Sequence, residues 1–124
     1  MLPSDSKILV VEDEFQVRAL LLRILSNEGY EPISAGNAQD ALDILGKETV
    51  DLILLDLRMP GPTDGEDLLF LLRDRGDEVP IIVVSAWVDD EVMLDQPDCI
   101  YAVLKKPIQF AELIDTVQRA LSKK

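Results

Sequence analysis

The chain reads as an α/β protein, a (βα)₅ three-layer sandwich built on a five-stranded parallel sheet. Three observations carry that reading: short apolar runs, amphipathic stretches of helical period, and their regular alternation along the chain. Lys7–Val11 (KILVV), Leu52–Leu55 (LILL) and Ile81–Val84 (IIVV) are nearly continuous apolar runs. Strands buried on both faces have that pattern, so these are expected to be central.

Val17, Leu20, Leu21, Ile24 and Leu25 follow the stripe of an amphipathic helix, with Gly29 as its terminator. Glu31–Ala35 is a weaker strand. Its Pro32 cannot donate to a ladder and so belongs at a sheet edge or a strand start, which makes this run the expected edge strand. Asn37 suits the N-cap of a second helix through Leu45, closed by Gly46, and Glu66–Arg73 forms a third before Gly76. After Ile81–Ser85, Asp89–Leu94 offers barely two turns before Gln96 and Pro97, so the fourth helix is expected to be short or distorted. Ile100–Leu104 is the fifth strand, and Phe110, Leu113, Ile114, Val117 and Leu121 form the stripe of the last helix. Right-handed crossovers then cover both faces of the sheet.

A length of 124 residues suits one domain, spanning 1–124 with its core over about 7–121. With 48% hydrophobic residues the chain is too apolar to be disordered. Twenty-four acidic against twelve basic residues give a net charge of −12, the wrong sign for tracking nucleic-acid phosphates or anionic lipid. A single cysteine, Cys99, and no histidine exclude an intrachain disulfide and a zinc-ligand set, and suggest a reducing compartment. No apolar run approaches the roughly 20 residues needed to span a bilayer, and Met1–Ser6 is not a signal peptide, so a soluble cytoplasmic protein is expected. The last helix ends close to Lys124, which suggests either a stand-alone unit or one excised from a larger protein.

In open parallel sheets ligands bind beyond the carboxyl ends of the strands. There the first strand meets Glu12 and Asp13, the third Asp56, the fourth Ser85, and the fifth Lys105 and Lys106. Singly, each has an ordinary explanation: Asp13 as a helix cap, Asp56 opening a turn, Ser85 in a hydroxyl turn, Lys106 in solvent. Together they bring three carboxylates and an ammonium to one rim, where unpaired acids repel. Hard oxygen ligands suit Mg²⁺, which needs few protein carboxylates and leaves positions for a phosphoryl oxygen. Such an assembly fits phosphoryl transfer to a carboxylate nucleophile, and the new charge could draw in the Ser85 hydroxyl as a switch.

Through LVVEDE (Leu9–Glu14), LLDLRMPG (Leu54–Gly61), DG (Asp64, Gly65), VSA (Val84–Ala86) and KKP (Lys105–Pro107), the chain closely resembles the bacterial response-regulator receiver family. The resemblance runs from Lys7 to Leu121 and implies a sheet order of 2-1-3-4-5. It makes Asp56 the phosphoacceptor, and Glu12 and Asp13 the pair holding Mg²⁺ directly or through water, with the Arg58 backbone carbonyl as a further ligand. Ser85 becomes the hydroxyl switch, the Ala86 backbone N–H lies near the phosphoryl group, and Lys106 is the phosphoryl-contacting cation before a cis Pro107. It further implies a histidine kinase or histidine phosphotransfer protein as donor, an output domain or downstream protein as target, and no direct nucleic-acid or membrane partner. On this reading the chain is a signalling domain that assists only its own phosphorylation and dephosphorylation.

Several features depart from the family pattern. Val103 stands where an aromatic residue is common, with Tyr101 two positions earlier, and the fourth helix is weak, so the output surface is expected to be atypical. The loop after Asp56 is one residue longer than the commonest form and carries Pro62. Trp87, two residues after the proposed switch, reads most simply as a partly buried aromatic. Two other functions compete. A haloacid-dehalogenase-like phosphatase carries an acid two residues after its nucleophile, where this chain has Arg58. A pseudo-receiver, an interaction module without phosphorylation, usually lacks a site residue, whereas here all are chemically competent. Nucleotide-binding glycine loops are absent.

Overall fold

A computed structural model describes residues 6–56, 68, 71–72, 79–85 and 100–122, with the backbone alone for Ser85. Five strands are present: β1 (Lys7–Val11), β2 (Glu31–Ala35), β3 (Leu52–Leu55), β4 (Ile81–Ser85) and β5 (Ile100–Lys105). They form one parallel sheet in the order β2-β1-β3-β4-β5, as the resemblance implied. Among the described residues three complete helices accompany it, α1 (Phe15–Asn27), α2 (Ala38–Lys47) and α3 (Phe110–Ser122), and Leu68, Leu71 and Leu72 are also helical. The expected fourth helix, Asp89–Leu94, lies outside the described residues, as do Trp87 and the whole loop after Asp56 with its Pro62.

The period-two geometry of a strand divides the apolar runs between two cores. Ile8, Val10, Leu52, Leu54, Ile82 and Val84 face Leu21, Ile24 and Leu25 of α1 and Leu113 and Val117 of α3. Leu9, Val11, Ile53, Leu55, Ile81 and Val83 face Ala38 and Ala41 of α2 together with Leu68 and Leu72. Every residue of β3 is buried, which explains a strand with no polar alternation.

β2 is an edge strand, and the geometry shows why Pro32 is tolerated. The Glu31 N–H donates inward to the Ser6 carbonyl, so the next residue's missing donor falls on the open side. α1 ends in a Schellman motif: the Tyr30 N–H reaches the Leu25 carbonyl at 3.1 Å, the Gly29 N–H reaches Ser26 at 3.0 Å, and Gly29 takes φ 91°. Tyr30 and Leu25 are buried in the same core.

Three sequence expectations need correction. Of the residues in the two apolar stripes, Leu21 on α1 and Leu113 on α3 are buried as expected, whereas Leu20 and Phe110 are 45% and 56% exposed, on the margin of their helices. Asp13 does not cap α1; Glu14 occupies the N-cap and makes no side-chain cap bond. Asn37 does cap α2, accepting from the Asp40 N–H at 2.8 Å, but the helix continues past Gly46 to Lys47. Gly46 is therefore a helical residue whose added Cβ would meet nothing within 4 Å. Gly46→Ala is expected to raise stability by about 0.5–1 kcal/mol, read from urea unfolding midpoints.

β5 carries an irregularity that periodicity could not reveal. Ile81 pairs with Ile100 and Ile82 with Ala102, which leaves Tyr101 as an extra residue. Ile100 and Val103 consequently share the α2 side, while Tyr101 and Leu104 pack on the α1–α3 side. Tyr101 thus lies on the opposite face from Val103, and cannot occupy the position of the missing aromatic.

Candidate functional site

Glu12 follows β1, Asp56 follows β3, and Lys106 follows β5, so the parallel order brings all three to one rim. Ladder bonds continue past the strand ends and fix the backbone there: the Glu12 N–H donates to the Ala35 carbonyl and the Asp56 N–H to Val11, each at 3.0 Å. The two carboxylates are 2% and 4% exposed. Asp13, on the turn into α1, is more open to solvent.

The Lys106 ammonium lies 2.7 Å from Glu12 Oε1 and 3.3 Å from Asp56 Oδ2. The first contact is an ion pair without an aligned hydrogen bond. Glu12 Oε2 accepts from the Glu14 N–H at 3.1 Å. Lys105 is exposed and extends β5 opposite Ser85, so Lys106 is the lysine turned onto the acids. The Lys106–Pro107 peptide is cis.

Burial pushes the Glu12 carboxyl up to about 7 from its ordinary 4.5; Lys106 and the Glu14 N–H pull against that rise, and the Asp56 charge adds to it. Burial alone would lower the Lys106 ammonium, but its ion pair with Glu12 and the charge of Asp56 outweigh it and hold the group above its ordinary value. Lys106 therefore stays cationic throughout the range in which Glu12 titrates.

One oxygen from each of Glu12, Asp13 and Asp56 lies within 4.8 Å of the others. These are hard oxygen donors, two of them buried, and among the described residues Lys106 is the ammonium paired with those two. The set fits a small dication such as Mg²⁺, which would relieve repulsion that Lys106 only partly offsets. Ser85 ends β4 on the same rim, in register with Lys105. Arg58 and Ala86 lie outside the described residues.

Sequence reasoning missed Arg18. Its Nη1 donates to the Glu12 backbone carbonyl at 2.8 Å, and its guanidinium lies 5.8 Å from the Phe15 ring centroid. An arginine on a polar helix face reads as solvated, and only the turn of the chain around Glu12 shows what it holds.

A family model described as the response regulator receiver domain matches residues 8–118. Sporulation initiation phosphotransferase F of Bacillus subtilis (strain 168) is 31% identical over 118 residues, 94% of each chain. Regulatory protein AtoC of Escherichia coli (strain K12) is 32% identical over 94% of this chain, which spans 25% of AtoC. Among solved structures, the response regulator protein TrrA of Thermotoga maritima, in complex with Mg²⁺-BeF, is similar with a TM-score of 0.83 and 31% identity, covering 94% of this chain and 100% of that one. No described helix is long and apolar enough to cross a membrane.

Proposed function

Because the chain belongs to the response regulator receiver domain family of two-component signalling, we propose that Asp56 accepts a phosphoryl group from a histidine kinase or phosphotransfer protein. The observation that carries the proposal is the clustering of the buried Glu12 and Asp56 with the more open Asp13, and Lys106 held against the two buried acids. Glu12, Asp13 and Asp56, with the Arg58 carbonyl, would hold Mg²⁺; TrrA, solved with Mg²⁺-BeF, supports that assignment by likeness. Bound there, the dication supplies charge neutralisation for the phosphoryl oxygens.

The remaining chemistry belongs to the chain. An Asp56 carboxylate oxygen forms a bond to phosphorus as the P–N bond of the donor phosphohistidine breaks, and the bonding pair leaves with the imidazole nitrogen. Lys106, already 3.3 Å from Asp56 Oδ2, neutralises charge on a phosphoryl oxygen. Ser85 and the Ala86 N–H, at the end of β4, are the groups that respond to the acyl phosphate and pass the change to a partner surface. Val103, in place of the usual aromatic, leaves that response to the hydroxyl and the backbone. The chain is a switch rather than an enzyme with turnover.

Intact-mass measurement after incubation with acetyl phosphate tests this. One phosphoryl adduct is expected, dependent on Mg²⁺ and lost completely in Asp56→Asn. A folded protein left unmodified by acetyl phosphate and by a cognate kinase would favour an interaction module without phosphorylation.

A further inference from the structure

We infer that Arg18 and Gly36 form a positioning unit for the metal-binding turn Glu12–Asp13, an inference that rests on the proposed Mg²⁺ site. Glu12 is anchored at both ends. Its carboxylate takes the Glu14 N–H at 3.1 Å, and its backbone carbonyl takes Arg18 Nη1 at 2.8 Å. Where the chain leaves β1 and turns into α1, this guanidinium spans the turn from its helical side. The Arg18 N–H itself donates to the Glu14 carbonyl at 2.9 Å, so both the backbone and the side chain of Arg18 brace Glu12–Glu14.

Two neighbours hold the guanidinium in place. Phe15 is 72% exposed, an unfavourable position for an aromatic ring, yet its ring lies 5.8 Å from the Arg18 Cζ and supplies a cation–π platform. Gly36, immediately after β2, supplies the space: a Cβ built there would lie 2.9 Å from Nη1 and 3.6 Å from Cζ. Gly36 does not have positive φ, so a side chain there would disturb the guanidinium of Arg18 rather than strain its own backbone. An alanine at 36 would displace the flexible end of Arg18 and leave its charge in the protein.

Magnesium calorimetry on three variants tests the unit. Arg18→Gln is expected to weaken Mg²⁺ binding about tenfold or more, the scale of losing one charge-assisted hydrogen bond that orders a ligand. Gly36→Ala should weaken it in the same direction by about two- to fivefold, and the double variant should be no weaker than Arg18→Gln alone. In the metal-free protein, hydrogen exchange at the Glu14 amide should accelerate in both single variants. If wild type binds Mg²⁺ and Arg18→Gln binds it equally well, the positioning role is overturned while the metal site stands. If wild type binds none, the metal site falls and takes this inference with it. Should Arg18→Gln fail to fold, Gly36→Ala decides the matter alone: unchanged affinity and unchanged Glu14 exchange overturn the unit.

Discussion

Lys106→Met is expected to destabilise the metal-free domain by about 2–4 kcal/mol near neutral pH, the scale of removing one partner from a buried ion pair. Glu12 and Asp56 are almost fully buried, and the Lys106 side chain, at 17% exposed, is paired with both. Without it, two carboxylates remain in a poorly solvated rim, where the Asp56 charge acts on Glu12 with no ammonium to oppose it. The loss should be smallest in acid, where Glu12 is protonated. Glu12 in the folded protein titrates about 7, above its ordinary 4.5, so the folded state binds the proton more tightly than the unfolded state does. Its contribution to stability is therefore complete below 4.5 and is lost as pH rises through about 7. Metal-free wild type should lose stability across that window, and the Lys106→Met fall should extend to higher pH. Saturating Mg²⁺ should recover much of the loss by binding the folded state. Urea unfolding at several pH values, with and without Mg²⁺, measures all of this; midpoints equal to wild type throughout would mean that the pairing does not support the fold.

Magnesium affinity itself should depend on pH through the same carboxyl. Binding requires the ionised form of Glu12, so below about 7 each Mg²⁺ displaces close to one proton, and affinity should gain about tenfold per pH unit before levelling off above it. Glu12→Gln should weaken binding and flatten the profile, since the remaining neutral amide does not titrate. Calorimetry in two buffers of different ionisation enthalpy gives the proton count directly. A wild-type affinity that is flat from about pH 6 to 8, with no proton released, would show that Glu12 is already ionised in the folded protein. Lys106, held cationic by its ion pair with Glu12 and the charge of Asp56, should not contribute to this profile.

Much of the fold was legible because it depends on local periodicity. Uninterrupted apolar runs identified β1, β3 and β4 as buried, Pro32 identified β2 as an edge, and the strand ends collected Glu12, Asp56 and Lys106 at one rim. These depend on residue type and spacing, which a chain displays without folding. Contacts between elements are not written that way. Which of two adjacent leucines on α1 turns inward depends on where the sheet lies, so Leu21 is buried and Leu20 is not. The extra residue in β5 depends on pairing with β4, and it moved Tyr101 to the face opposite Val103. Asp56 and Lys106 meet across a separation of 50 residues, and Arg18 becomes a brace only because α1 folds back over the Glu12 carbonyl beside a residue with no side chain. Residue type and spacing along the chain specify the elements and the chemical groups at their ends. Which of those groups touch follows from the packed fold, because a distance between side chains on different elements is set by packing rather than by period.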